Sequence, residues 1–167
     1  MSNASHKSSE MSSKRSVGSN ETQNSPFYKT GTMIKRQTMH PLEREDPIAY
    51  NFIQFVRLGY LEAEAPIPIP RHQELPGDAF GKLTGRTILL SLSHGWFFQN
   101  HPDPRGRKLD LIRNVFAPRL RERYPHTSIV VFFDFLATPQ RPRTDDEEER
   151  FRIAMERMNS VYVYADA

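Results

Sequence analysis

Residues 129–134 read IVVFFD, five apolar residues in a row followed by an aspartate. A run without polar alternation suits a strand covered on both faces, since neither set of side chains is prepared for water. Working outward, Thr87–Leu92 (TILLSL) and Val161–Ala165 (VYVYA) repeat the pattern and predict two more strands. Between the first two runs, Asp103-Pro104 supplies a cap and a proline start, and Leu109, Ile112, Phe116 and Leu120 follow at helical spacing. Pro118 inside that pattern predicts a kink or a stop near Phe116. Between the second and third runs, Thr144 and Glu147 have capping-box spacing, and acids at 145–149 suit the positive end of a helix. Phe151, Ala154, Met155 and Met158 then form an inward stripe, in which the methionines read as packing. Strand, helix, strand, helix, strand, with crossovers of this length, predicts an α/β domain with a doubly wound parallel sheet over residues 86–167. Three strands make half of such a sheet, so an incomplete domain is expected.

Upstream the chain changes character. Residues 1–46 are rich in Ser, Asn, Lys and Thr, cannot bury enough surface to offset chain entropy, and are expected to be a disordered tail. Residues 47–85 read as a helix plus a proline-rich connector. Asp46-Pro47 starts the helix, which ends near Gly59, and the prolines after Ala65 block regular ladders, so this connector is not expected to join the core.

Composition narrows the class. The 167 residues include no cysteine, which excludes disulfides and cysteine-built zinc sites and fits a reducing compartment. No apolar run reaches the roughly 20 residues of a membrane helix. No secretory signal opens the chain, so a soluble cytoplasmic protein is expected. The formal net charge is +3, with the excess spread through the tail and around Arg105, Arg107 and Lys108. No dense basic block interleaved with aromatics points to specific nucleic-acid binding.

In parallel sheets ligands collect beyond the carboxyl ends of the strands, where loops and helix N-termini converge. Ser93, His94, Trp96, His101 and Asp103 follow the first strand; Asp134, Phe135, Thr138, Pro139 and Gln140 follow the second. Three chemistries suit that rim. A Ser93–His94–Asp134 hydrolytic triad has the right residue types, but neighbours at a strand end project to opposite sides and no G-x-S-x-G elbow is present. A metal site from His94, His101, Asp103 and Asp134 has acceptable ligands at undiagnostic spacings, and no metal is assigned. A nucleotide could stack on Trp96 and place ribose hydroxyls on Asp134, although neither a Walker loop nor G-x-G-x-x-G follows the first strand.

The segments SLSHGW (91–96), HPDPRG (101–106), FFDFLATPQRPRT (132–144) and RMNSVYVYADA (157–167) together resemble a group of intracellular domains, mostly from protists. That group is related to Toll/interleukin-1 receptor (TIR) domains and more loosely to fungal heterokaryon-incompatibility domains. Its members read S-H-x-W, H-P-D-P, D-[YF]-x-x-x-P-Q and M-N-x-x-Y at similar spacings. The resemblance covers 86–167 and implies a flavodoxin-like, three-layer TIR-like fold. It also implies a signalling or adaptor role, with Phe135 to Arg143 as the self-association loop and Phe135, Thr138, Pro139, Arg141 and Arg143 as its contact residues. Ser93, His94, Trp96, Asp103, Asp134 and Gln140 are then candidate ligand residues, with NAD as candidate ligand or as substrate of full-length relatives. Relatives place a catalytic glutamate in an R-G-W-C-x-x-E segment after the third strand, and no such segment occurs by Ala167, so no NAD cleavage is expected of these residues. Gly95 also departs from the arginine relatives often carry. Two alternatives remain: a small hydrolase or transferase using the His94/Asp134 rim, with or without metal, and a truncated product with no function of its own.

Overall fold

The IVVFF run forms an inner strand of the sheet, because its side chains alternate between two apolar layers that both exclude water. The computed structural model describes residues 39–167. In chain order the helices and strands are α1 (Pro41–Glu45), α2 (Pro47–Phe52), β1 (Phe55–Arg57), α3 (Leu58–Ala63), β2 (Phe80–Gly81), β3 (Ile88–Ser91), α4 (Arg107–Leu111), α5 (Ala117–Arg123), β4 (Ile129–Phe132), α6 (Asp134–Ala137) and α7 (Asp145–Tyr164). The sheet order is β2-β1-β4-β3. β3 and β4 are parallel, in register from Ile88↔Ile129 to Ser91↔Phe132, whereas β1 pairs antiparallel with β4 and with β2. The protein is therefore mixed α/β with a four-stranded mixed sheet. Val130 and Phe132 pack with Leu42, Ile53, Leu89, Ala154 and Val161 on one face; Ile129, Val131 and Phe133 pack with Leu58, Leu61, Leu90, Leu109 and Ile112 on the other. Helices thus cover both faces, and no helix among the described residues is long and apolar enough to cross a membrane.

Several expectations are corrected. Residues 1–38 of the expected tail lie outside the described residues, but its last stretch is ordered. The His40 Nδ1 caps α1 by accepting from the Leu42 N–H at 3.1 Å, and Leu42 is fully buried. The expected helix from Pro47 to Gly59 is two helices separated by β1, since Phe55 and Val56 are more valuable paired to β4 than on an exposed helix face. The connector also joins the core: Ile69, Leu75, Ala79 and Leu83 are buried and Phe80–Gly81 adds an edge strand. Its prolines prevent long ladders without preventing burial.

The third strand is overturned outright. Val161–Tyr164 is the last turn of the 20-residue α7. Extending a formed helix fixes one residue per hydrogen bond, which outweighs the strand preference of a short β-branched run. Ala154, Met158, Val161 and Ala165 make the stripe that meets the sheet, and Val163 is 71% exposed. Only the tail hydrogen-bonds to β3 through its backbone: the Asp166 N–H donates to the Leu89 carbonyl at 2.9 Å and the Ser91 N–H to that of Ala167 at 2.8 Å. Of the kink or stop expected near Phe116, the stop does not occur, and the irregularity there is a π turn. A π turn (Ile112–Phe116) joins α4 to α5, and the widened turn lets the chain pass a residue that has no N–H to donate.

Candidate functional site

β3 and β4 run parallel, so the loops that leave their carboxyl ends emerge at one rim. Phe133 ends the apolar run and Asp134 opens α6; across from it, His94 leaves β3 with its ring edge-on to Phe133, 4.3 Å between centroids. The His94 Nε2 lies 3.2 Å from Asp134 Oδ1, an ion-pairing distance off the line of a good hydrogen bond. Burial by itself would raise the Asp134 carboxyl. Contact with His94, the Phe135 N–H at 2.6 Å and Trp96 outweigh it and hold the group below the ordinary carboxylate value.

Lys108, from the first turn of α4, completes the cluster. Its Nζ donates to His94 Nδ1 at 2.8 Å and to the Gly95 carbonyl, and stands 4.5 Å from the centre of the Phe97 ring. An ammonium has no lone pair, so Nδ1 is the acceptor and the ring proton sits on Nε2, facing Asp134. Burial lowers the Lys108 ammonium below the usual lysine value against the opposing pull of Asp103 and Asp134. From the sequence, Lys108 stands only with Arg105 and Arg107, as part of the excess positive charge. The available signal was its position in the first turn of a helix whose N-terminus faces the strand ends.

Asp103 and His101 hold the loop instead of joining this cluster. Asp103 is fully buried and its Oδ2 accepts from the Lys108 and Leu109 N–H groups at 2.9 and 3.0 Å, capping α4. His101 Nδ1 accepts from the Asp103 N–H at 2.8 Å, leaving Nε2 to donate to the Ile69 carbonyl at 2.9 Å. Among the described residues, no three His, Asp or Glu side chains group as metal ligands. Ser93 is exposed and borders the cluster, but the polar side chains that meet the His94 ring are Asp134 and Lys108, so no hydrolytic triad is assembled.

Two clefts flank the cluster, with Trp96 between them. The first, about 530 Å³, is lined by Trp96, Asp134, Thr138, Gln140 and the three arginines Arg71, Arg141 and Arg143. Phe151, Met155 and Met158 of α7 form its apolar wall, so the methionines line a cleft as well as packing. Arg71 pairs with Glu74 at 2.6 Å; Arg143 pairs with Glu148 at 3.0 Å and stacks 3.4 Å from the Phe151 centroid. Arg141 is exposed and makes no ion pair among the described residues. The second cleft, about 610 Å³, is mainly apolar and contains His94 and Lys108.

The expected association loop is not a projecting loop. Phe135, Thr138, Pro139 and Gln140 are buried within the chain, the Gln140 Nε2 donating to the Thr138 carbonyl at 2.8 Å. The Arg143 side chain is 6% exposed, leaving Arg141 as the accessible member of the set. Aromatic packing decides this: Phe135 sits under the rings of Trp96 and His101, at 5.7 and 4.9 Å. No protein-family model, curated protein or solved structure matches the chain.

Proposed function

We propose that the chain is a TIR-like module that binds a nucleotide of the NAD class in the arginine-lined cleft. The observation that carries this reading is that Trp96, Asp134 and Arg141, which makes no ion pair among the described residues, border one cleft at the carboxyl ends of two parallel strands. A flat ring would stack on Trp96, a ribose hydroxyl would donate to Asp134, and a phosphate would meet Arg141. The flavodoxin-like part of the proposal is supported by the parallel β3–β4 pair and by Asp166–Ala167. A flavodoxin order sets its first strand between the second and third, and that tail lies along the edge of β3 opposite β4. Signalling in this reading works through ligand binding. Self-association through Phe135–Arg143 gains little support, because most of its contact residues face inward.

Trp96 is the chain's only tryptophan, so its fluorescence reports on the site directly. Titration with NAD or ADP-ribose is expected to quench it saturably, and Arg141→Glu to weaken binding by about tenfold through loss and reversal of one phosphate contact. No change in emission at millimolar ligand overturns the reading.

A further inference from the structure

We propose that the apolar cleft beside α4 captures an apolar aldehyde or ketone, with the Lys108 amine forming an imine and His94 moving the proton. This goes beyond the nucleotide reading and does not rest on it, because the cleft lies on the other side of Trp96. Leu92, Phe97, Leu111, Ile112, Phe116 and Phe133 line about 610 Å³, a volume suited to a small organic molecule. Two of them, Ile112 and Phe116, belong to the π turn, an irregularity of the kind frequent at functional sites. The polar side chains of the lining are Ser93, His94 and Lys108.

Lys108 is an unusual lysine. A lysine at the surface is normally a solvated or carboxylate-paired ammonium. Here, among the described residues, it pairs with no carboxylate and instead donates to an imidazole nitrogen while resting against an aromatic ring. Of the two acids that act on it, Asp103 turns Oδ2 to the α4 N–H groups and keeps Oδ1 buried without a hydrogen-bond partner, and Asp134 faces the far nitrogen of His94. Asp134, His94 and Lys108 therefore stand in the order acid, base, nucleophile, which is recognised by geometry and roles and not by sequence order. His94 Nδ1 takes a proton from the ammonium, and Asp134 stabilises the imidazolium. The freed Nζ lone pair bonds to the carbonyl carbon while the C=O π pair moves to oxygen. One amine proton transfers to that oxygen, giving a carbinolamine. The imidazolium then returns its proton to the hydroxyl, which departs as water. Ammonium and carbonyl become protonated imine and water, with His94 regenerated.

The full chain, incubated with hexanal and sodium cyanoborohydride near neutral pH, tests this by peptide mapping of the reduced secondary amines. Exposed Lys82 is the reference within the same tube. Lys108 is expected to be modified about tenfold faster than Lys82, as a half-buried amine held against a base should be. His94→Gln is expected to slow Lys108 by at least about tenfold through loss of the base, with Lys82 unchanged. A measurement needing no variant uses acetaldehyde: Lys108 is expected to favour hexanal over acetaldehyde more strongly than Lys82 does. Equal rates at the two lysines, no effect of His94→Gln in a variant whose circular dichroism is native, or the same aldehyde preference at both lysines each overturns the proposal. The Trp96 titration with NAD is read independently, so failure of one leaves the other standing.

Discussion

Gly106 has φ of 70°, the left-handed region that side chains avoid, and a Cβ there would fall 2.6 Å from Ile67 Cδ1. Both facts bear on the site, because Gly106 is the N-cap of α4 and aims the first turn that carries Lys108. Gly106→Ala is expected to destabilise the protein by more than about 1 kcal/mol, since backbone strain and a clash add. Chemical denaturation of the variant against the parent measures it. At the same scale, His94 shows how one residue is assigned by its neighbours. The sequence placed it at a strand end, and only the positions of Lys108 Nζ and Asp134 Oδ1 fix which ring nitrogen holds the proton.

Among the elements, α7 shows local chemistry at one end and tertiary chemistry at the other. Its start is capped as its sequence specifies: Thr144 Oγ1 accepts from the Glu147 N–H at 3.3 Å, and Glu147 Oε2 accepts from the Thr144 N–H at 2.9 Å. Thr144→Ala is expected to cost about 1 kcal/mol, read as a lowered thermal midpoint, because it leaves orphan N–H groups at the helix start. Its end is governed by packing. Val161 is buried against the sheet and the Tyr162 ring meets Phe132 edge-on at 5.5 Å, contacts that a strand over Val161–Ala165 would have exchanged for pairing at the edge of β3.

Across the whole molecule, two buried histidines join distant segments and make stability depend on pH. His40 lies 3.7 Å from Asp166, linking the start of the described chain to its end. His72 shares its Nδ1 proton with the Leu136 carbonyl at 2.8 Å, joining the former connector to α6. Burial lowers both imidazoles below their ordinary value, more than the partly opposing Asp166 and Leu136 contacts raise them. An unfolded histidine takes up its proton as pH falls through about 6.5, whereas these resist it, so the unfolded state binds more protons in the window below that value. Stability is therefore expected to be full above about pH 6.5 and to fall as pH drops through the lowered folded values. Thermal midpoints at pH 7.5 and 5.5 measure the loss. His72→Asn, which keeps a donor for Leu136 and removes the titration, is expected to reduce it.

Local pattern alone determined the parallel pair β3–β4, the helical crossover between them, the capped start of α7, and the placing of His94 and Asp134 at one rim. Each depends on periodicity or spacing that neighbouring residues enforce on one another. Only tertiary structure decided that Phe55–Arg57 pairs with β4, that the proline-rich stretch supplies Ile69 and Leu83 to the core, that VYVY stays helical, and that Lys108 completes the cluster. Those outcomes turn on which apolar surface is left uncovered once the sheet has formed, and on groups brought together from distant parts of the chain, where no local propensity reaches.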